Sequence, residues 1–229
     1  TESFTEIGKL FEEKNNGVMI TFNFAGSQTL AEQLNQGAKA DVFASANDKY
    51  MTAAINARRV NKEDVRTFAL NKLVVILPKD NPAKVTALED LAKPGVKLDL
   101  ADISVPVGQY SQDFLDKASA DTRFGKNFKT QVLKNAVSFE NNVKAVVAKV
   151  SLGEADAGIV YFTDITAEAA QKLDTLAIPD DLNVIATYPI AVIADSQNAN
   201  LARGFVDFVM STEGQAVLNK YSFSPAADK

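Results

Sequence analysis

Two uninterrupted apolar runs, Leu73–Leu77 and Tyr188–Ile193, place the strongest constraint on the fold of this chain. A run without polar alternation is typical of a strand buried on both faces, as in sheets covered by helices. Around these runs, short apolar strands alternate with segments of helical periodicity, which favours an α/β architecture with mostly parallel sheets. We therefore predict two lobes joined by a two-strand hinge at these runs. Residues 1–77 and 191–229 would form the first lobe, and residues 78–190 the second.

The composition is that of a globular protein, and it argues against two classes of partner. The 229 residues are enough for two modest domains with a substantial core. A formal net charge of −5 argues against a nucleic-acid partner, because phosphate contacts need clustered Lys and Arg. No apolar run reaches the ~18 residues that a membrane span requires.

The chain contains no His and no Cys, which excludes several kinds of chemistry. Zinc-type metal sites and nucleophilic catalysis by Cys or a Ser-His-Asp triad cannot be built from it. The common nucleotide-binding motifs GxGxxG and GxxxxGK[ST] are also missing from the sequence. The sequence therefore favours ligand binding over catalysis, and we expect neither an enzyme nor a cofactor.

A strand, a hydroxyl-bearing turn and a helix follow one another around Ser27. Residues 18–24 alternate as an extended strand does, and Leu30 and Leu34 begin a helical pattern. Ser27 is predicted as the N-cap, after a Gly that allows close approach of the backbone. The free N–H groups of a helix start suit an anion, although plain capping of the helix gives the same local sequence.

Five segments, in this order and spacing, resemble one known family, the periplasmic molybdate-binding proteins of ABC importers (the ModA family of class II solute-binding proteins). The segments are 26–46, 71–76, 105–110, 153–161 and 211–223. The resemblance implies the type II periplasmic binding protein fold, with two Rossmann-like lobes. It also implies capture of molybdate or tungstate in a cleft between the lobes, and delivery to the membrane permease of an ABC transporter. The protein would be periplasmic or otherwise extracytoplasmic, free or lipid-anchored, and monomeric.

The resemblance also implies a set of neutral donors for the oxyanion. These are the hydroxyl and N–H of Ser27, the N–H of Val107, the N–H of Val143 and the hydroxyl of Tyr161. They would contact the metal only through the oxygens of molybdate or tungstate. Ser27, Val107 and Val143 each lie at the start of a predicted helix, where the dipole is positive. Tyr161 ends a predicted buried strand, at the edge where ligands of such sheets bind.

Each of these residues also has a structural explanation. Val107 follows Pro106 and could mark only a helix start. The side chain of Val143 is expected on the apolar face of its helix, apart from the role of its amide. Tyr161 could be a half-buried aromatic whose hydroxyl bonds a neighbouring backbone group.

The chain departs from the family pattern at its beginning. The family's first strand and a further ligand Ser would precede Thr1, and we expect that segment to have been trimmed from this sequence. Ser3 lies about one helical turn too far along to replace that ligand. Three alternatives stay open: a binding protein for sulfate or another tetrahedral oxyanion, the ligand-sensing domain of a transcriptional regulator, and a transferase on the same fold.

Overall fold

A computed structural model describes residues 1–226 of the chain. Helices and strands are numbered separately, each in chain order. The described helices are α1 (Glu2–Lys14), α2 (Ser27–Asn35), α3 (Asp48–Asn56), α4 (Pro106–Ala120), α5 (Phe128–Lys134), α6 (Val143–Ser151), α7 (Ala169–Lys172), α8 (Ala199–Met210) and α9 (Thr212–Lys220). The described strands are β1 (Val42–Ala44), β2 (Arg66–Asn71), β3 (Leu73–Pro78), β4 (Leu98–Ala101), β5 (Ala136–Glu140), β6 (Ala157–Tyr161), β7 (Leu173–Ala177) and β8 (Ala186–Val192).

The chain divides into two compact units, each an α/β assembly as the sequence predicts. The first comprises residues 1–71 and the described chain from residue 186 onward, and the second comprises residues 72–185. No helix among residues 1–226 is both long and apolar enough to cross a bilayer.

The first unit is built on a three-stranded sheet with the order β1-β8-β2. Both outer strands run antiparallel to β8, so the predicted parallel arrangement is wrong for this sheet. Strand β8 lies between these two earlier strands and runs opposite to both, a direction that the alternation of strands and helices along the chain does not reveal. Helices α2 and α3 cover the sheet through a fully apolar cluster that includes Leu34, Phe43 and Ile193. On α1, Phe11 packs edge-on against Phe205 of α8.

The second unit is built on a five-stranded sheet with the order β5-β4-β6-β3-β7. Strands β4, β5 and β6 are parallel, whereas β3 runs antiparallel to β6 and β7. Every residue of β3 is buried, which confirms the inference drawn from the Leu73–Leu77 run. The three parallel strands end at the same edge of the sheet, and the residues that follow them lie at that edge.

The chain passes from one unit to the other at earlier positions than the predicted boundaries, 77/78 and 190/191. The divisions fall after Asn71 and after Ile185. Strand β3 belongs wholly to the second unit because it pairs with β6 and β7, and β8 belongs to the first because it pairs with β1 and β2. The two apolar runs are therefore strands of separate sheets, and the chain passes between units just before each of them.

The predicted strand over residues 18–24 is not assigned in the structure. Side chains 18–23 do alternate between partly buried and exposed, with Met19 85% exposed. Its backbone, however, belongs to neither sheet, and the Ile20 N–H donates to the Glu12 side chain at 2.5 Å. An extended segment becomes a strand only when a neighbour supplies ladder hydrogen bonds, and periodicity alone does not provide one.

Candidate anion-binding site

In the first unit, Ser27 is the first residue of α2 and is 6% exposed. The N-cap is Gly26 and not Ser27 as predicted, because the Gly26 carbonyl accepts the first helical bond, from the Leu30 N–H at 3.1 Å. The shift of one residue leaves the Ser27 N–H within the first turn, where it has no acceptor inside the helix. Ser27 thus offers both a backbone and a side-chain donor at a positive helix end.

The Ser27 hydroxyl already accepts one hydrogen bond, from the Ala46 N–H at 2.9 Å. A serine hydroxyl has one proton, and accepting from Ala46 leaves that proton to be donated elsewhere. The turn that holds Ala46 is itself fixed. The Ser45 N–H donates to the Pro189 carbonyl of β8 at 2.9 Å, and the Ser45 hydroxyl donates to the Asn47 carbonyl at 2.7 Å. The orientation of Ser27 as a donor is therefore set by the strand after α2.

In the second unit, Val107 lies in the first turn of α4, directly after β4. Val105 is the N-cap and Pro106 the first helical residue, and the first helical bond is made by the Gln109 N–H to the Val105 carbonyl at 3.0 Å. The N–H groups of Val107 and Gly108 precede that bond, so they have no acceptor within the helix. Val107 is fully buried, which makes its amide a desolvated donor.

Gly108 allows this helix start to approach the end of β4. A Cβ at this position would lie 2.0 Å from the Asp102 carbonyl oxygen and 2.6 Å from that of Ala101. Both atoms belong to the backbone, so no side-chain movement could relieve the contact. The sequence reasoning missed Gly108 as a functional residue, although a Gly in the third position of a predicted helix is a signal of close approach.

Val143 begins α6, directly after β5. The Asn142 side chain caps the helix by accepting from the Ala145 N–H at 3.0 Å. This cap satisfies the third N–H of the helix and leaves that of Val143 without a helical acceptor. The Val143 side chain is partly exposed, while Val146 and Val150 form the buried face. Asn142 is a second functional residue that sequence reasoning missed, and its N-cap preference could have revealed it.

Tyr161 is the last residue of β6 and is 4% exposed, so it is a buried residue and not a half-buried one. Its ring meets the ring of Tyr110, on α4, edge-on at a centroid distance of 6.4 Å. Its N–H donates to the Asp164 carboxylate at 3.1 Å. The ring is therefore held by an aromatic neighbour and its backbone by a carboxylate, which restricts where its hydroxyl can point.

The second-unit residues share one edge of the sheet. Val107 follows β4, Val143 follows β5 and Tyr161 ends β6, and these three strands are parallel neighbours. Carboxyl ends of parallel strands are the usual place for a ligand in α/β proteins. None of these groups carries a charge, and the adjacent Glu140 carboxylate is neutralised by Lys149 at 2.5 Å. That ammonium lowers the pKa of Glu140.

Comparison with protein families identifies the chain. The profile of the bacterial extracellular solute-binding proteins matches residues 1–224. The chain belongs to this family. Among individual relatives, the molybdate-binding protein ModA of Mycobacterium tuberculosis is 36% identical over 222 residues, which are 97% of this chain and 80% of that protein.

Solved structures agree with this assignment to the extracellular solute-binding proteins. A substrate binding domain from Clostridium difficile, attributed to a molybdenum ABC transporter, superposes with a TM-score of 0.72 at 28% identity, covering 98% of this chain and 94% of that one. The periplasmic molybdate-binding protein of Azotobacter vinelandii gives a TM-score of 0.81 at 18% identity, covering 98% and 95%. The fold is that of the type II periplasmic binding proteins, as predicted, and the family acts outside the cytoplasm.

Proposed function

We propose that this protein captures molybdate or tungstate outside the cytoplasm and delivers it to the permease of an ABC importer. The relative from Mycobacterium tuberculosis is named for molybdate binding, and the Clostridium difficile domain is attributed to a molybdenum transporter. Both cover nearly the whole of this chain. We also propose that the protein acts as a monomer without a cofactor, either free or held by a lipid anchor.

The observation that carries the proposal is the Ser27 hydroxyl, which accepts from Ala46 and therefore has its proton available for an anion. In this proposal, the second unit contributes the amides of Val107 and Val143 and the hydroxyl of Tyr161. All of these groups are neutral. Helix-start amides stabilise a dianion by fixed dipoles and need little reorganisation on binding. A buried counter-charge would have to be desolvated, and an ion pair often fails to recover that loss.

A site made of donors alone also selects by protonation state. An oxyanion that carries a proton would place its O–H against another donor, which leaves both groups without an acceptor. Phosphate is protonated near neutral pH and is disfavoured for this reason. Sulfate is fully deprotonated and has the same shape as molybdate, so it is the competitor that the experiment must include.

The test is calorimetric titration with molybdate, repeated in the presence of excess sulfate. We expect saturable binding of one ion that sulfate does not abolish. Ser27→Ala should weaken binding by about 1–3 kcal/mol, since a buried oxygen of the anion would lose the Ser27 hydroxyl as its hydrogen-bond donor. No heat with molybdate would refute the proposal, and displacement by sulfate would reassign the ligand.

Ser119→Ala provides a matched control for this variant. The Ser119 hydroxyl also accepts a backbone N–H at 2.9 Å, from Lys129, but it lies near the opposite end of α4 from Val107. Both variants should lose a similar amount of folding free energy. Only Ser27→Ala should lose affinity, and equal affinities in the two variants would remove Ser27 from the site.

A further inference from the structure

Asp99 is a carboxylic acid buried in the middle of the second unit. It lies on β4 and has no exposed surface. Neither of its carboxyl oxygens accepts a hydrogen bond from any residue within 1–226. An ionised carboxylate in such a position would lose its hydration without compensation, so this group needs another explanation.

The sheet register shows which groups surround it. Asp99 lies opposite Ser138 on β5 and Gly158 on β6. Glu140 is two residues beyond Ser138 and therefore points to the same face of the sheet. A Cβ on Gly158 would meet the side chains of Val146 and Val150, so this face is the one covered by α6.

The charged neighbours of Asp99 are two carboxylates and one ammonium. Glu140 faces it from β5, Lys149 from α6, and Glu154 from the turn that follows α6. Lys149 donates to Glu140 at 2.5 Å and to the Ser138 hydroxyl at 2.9 Å, and Ser138 donates to Glu140 at 2.5 Å. The ammonium is thus already engaged by Glu140, and an ionised Asp99 would add a second, uncompensated negative charge beneath α6.

We propose that Asp99 is a proton-binding site, and that its proton, donated toward Glu140, keeps the cluster of Asp99, Ser138, Glu140 and Lys149 electrically neutral. The environments of the Asp99 and Glu140 carboxyl groups shift their pKa values in opposite directions. Hydrogen bonds from Lys149 and Ser138 lower the pKa of Glu140, whereas burial, followed by the charge of Glu140, raises the pKa of Asp99 to about 7. Asp99 would therefore lose its proton within the physiological pH range.

Loss of this proton has a consequence for ligand binding, which rests on the function proposed above. The first residue of α6 is Val143, whose amide is a proposed donor to the oxyanion. A negative charge on Asp99, beneath the Val146–Val150 part of the same helix, would repel a dianion bound at the helix start. Anion affinity should therefore decrease as the pH rises through the titration of Asp99.

The first test uses the unchanged protein without any anion. Difference infrared spectroscopy should show the carbonyl band of a protonated carboxylic acid at about pH 6 that disappears by about pH 8. The band should be absent from Asp99→Asn and retained in Asp90→Asn, a buried Asp of the same unit whose carboxylate accepts bonds from Thr86 and Ala87. Absence of the band from the unchanged protein would overturn the proposal, even if the variant does not fold.

Thermal unfolding gives a second readout. The folded state holds a proton that the unfolded state, with the ordinary Asp pKa, has released. The melting temperature should therefore fall by several degrees as the pH rises from about 4 to about 7, and then level off. Asp99→Asn should remove this decline, and an identical decline in both proteins would contradict the proposal.

Titration with molybdate at about pH 6 and about pH 8 completes the test. The unchanged protein should bind several-fold more weakly at the higher pH, and Asp99→Asn should bind equally at both. The same pH dependence in both proteins would refute the link to α6. If molybdate does not bind at either pH, the proposed function fails, while the infrared and melting results still decide whether Asp99 holds a proton.

Discussion

Asn183 pairs with the backbone of Leu73 as a neighbouring strand would. Its Oδ1 accepts from the Leu73 N–H at 3.0 Å, and its Nδ2 donates to the Leu73 carbonyl at 2.9 Å. Asn183 is 4% exposed, and the Lys117 ammonium of α4 donates to the backbone carbonyl of Asn183 at 2.7 Å. One side chain thus ties the beginning of β3 to the last residues of the second unit, close in sequence to both places where the chain passes between units.

Asn183→Leu should be strongly destabilising, because it keeps the volume but leaves the Leu73 N–H and carbonyl buried without this partner. We expect a loss of about 3 kcal/mol in the free energy of unfolding, measured by urea denaturation. Asn200→Leu, at an exposed position of α8, should change it by no more than about 0.5 kcal/mol. Equal stability of the two variants would show that the Asn183 pair contributes little.

Gly108→Ala should weaken oxyanion binding by displacing α4. The added Cβ would lie 2.0 Å from a backbone oxygen, and α4 must move to relieve the contact. We expect a loss of about 1–3 kcal/mol in stability and about tenfold in affinity, as the Val107 amide shifts. Calorimetry and denaturation on the same samples separate the two effects.

Gly214→Ala is the control for this variant. Its Cβ would lie 2.2 Å from the Phe208 carbonyl oxygen, a similar conflict at the start of α9 in the first unit. It should lower stability and leave affinity unchanged. A similar loss of affinity in both variants would mean that general destabilisation, and not the position of Val107, is responsible.

Asn142→Ala should loosen the first turn of α6 by removing its cap. We expect a loss of about 1 kcal/mol in stability, with a fall in oxyanion affinity because the Val143 amide becomes less well fixed. Ser211→Ala removes the equivalent cap of α9, where the hydroxyl accepts from the Gly214 N–H at 3.2 Å. That variant should lose stability alone, and unchanged affinity in Asn142→Ala would argue against a role for the helix start.

Asp90 should contribute to stability at neutral pH and lose that contribution in acid. Hydrogen bonding from Lys93, together with the Thr86 N–H, lowers its pKa. A group with a lowered folded pKa contributes its full stabilisation above its unfolded pKa of about 4 and loses it progressively as the pH falls from there through the folded pKa. Asp90→Asn should therefore cost about 2 kcal/mol at neutral pH and flatten the acid side of the stability curve. A curve parallel to that of the unchanged protein would show that Asp90 is not involved.

The sequence predicts elements that depend on a local pattern of residues. It is less informative about elements that depend on pairing with residues far away in the chain. The apolar run of β3 predicts a strand buried on both faces, because no polar residue interrupts it. Residues 18–24 have the periodicity of a strand but no neighbour in either sheet, and periodicity carries no information about neighbours. The division between units depends in the same way on pairing: β8 joins β1 and β2, which lie far away in sequence.

The candidate site shows the same contrast. The helix starts at Ser27, Val107 and Val143 are visible in the sequence, since Gly, Pro and Asn mark each of them. The exact cap of α2 was misplaced by one residue, because Ser and Gly are both accepted at an N-cap. The bond from Ala46 to Ser27 could not be foreseen, because it joins residues that only the folded first unit brings together.

The start of α4 and the start of α6 present main-chain N–H groups, and this has a consequence for how the protein can vary. A peptide N–H survives every replacement of its side chain except proline. The donors at positions 107 and 143 therefore survive substitution, although packing limits position 107, which is fully buried, to residues of similar size and polarity. Gly108 and Asn142 hold these amides in place. Selection for weaker binders in a mutant library should therefore recover changes at Gly108 and Asn142 more often than changes at Val107 and Val143.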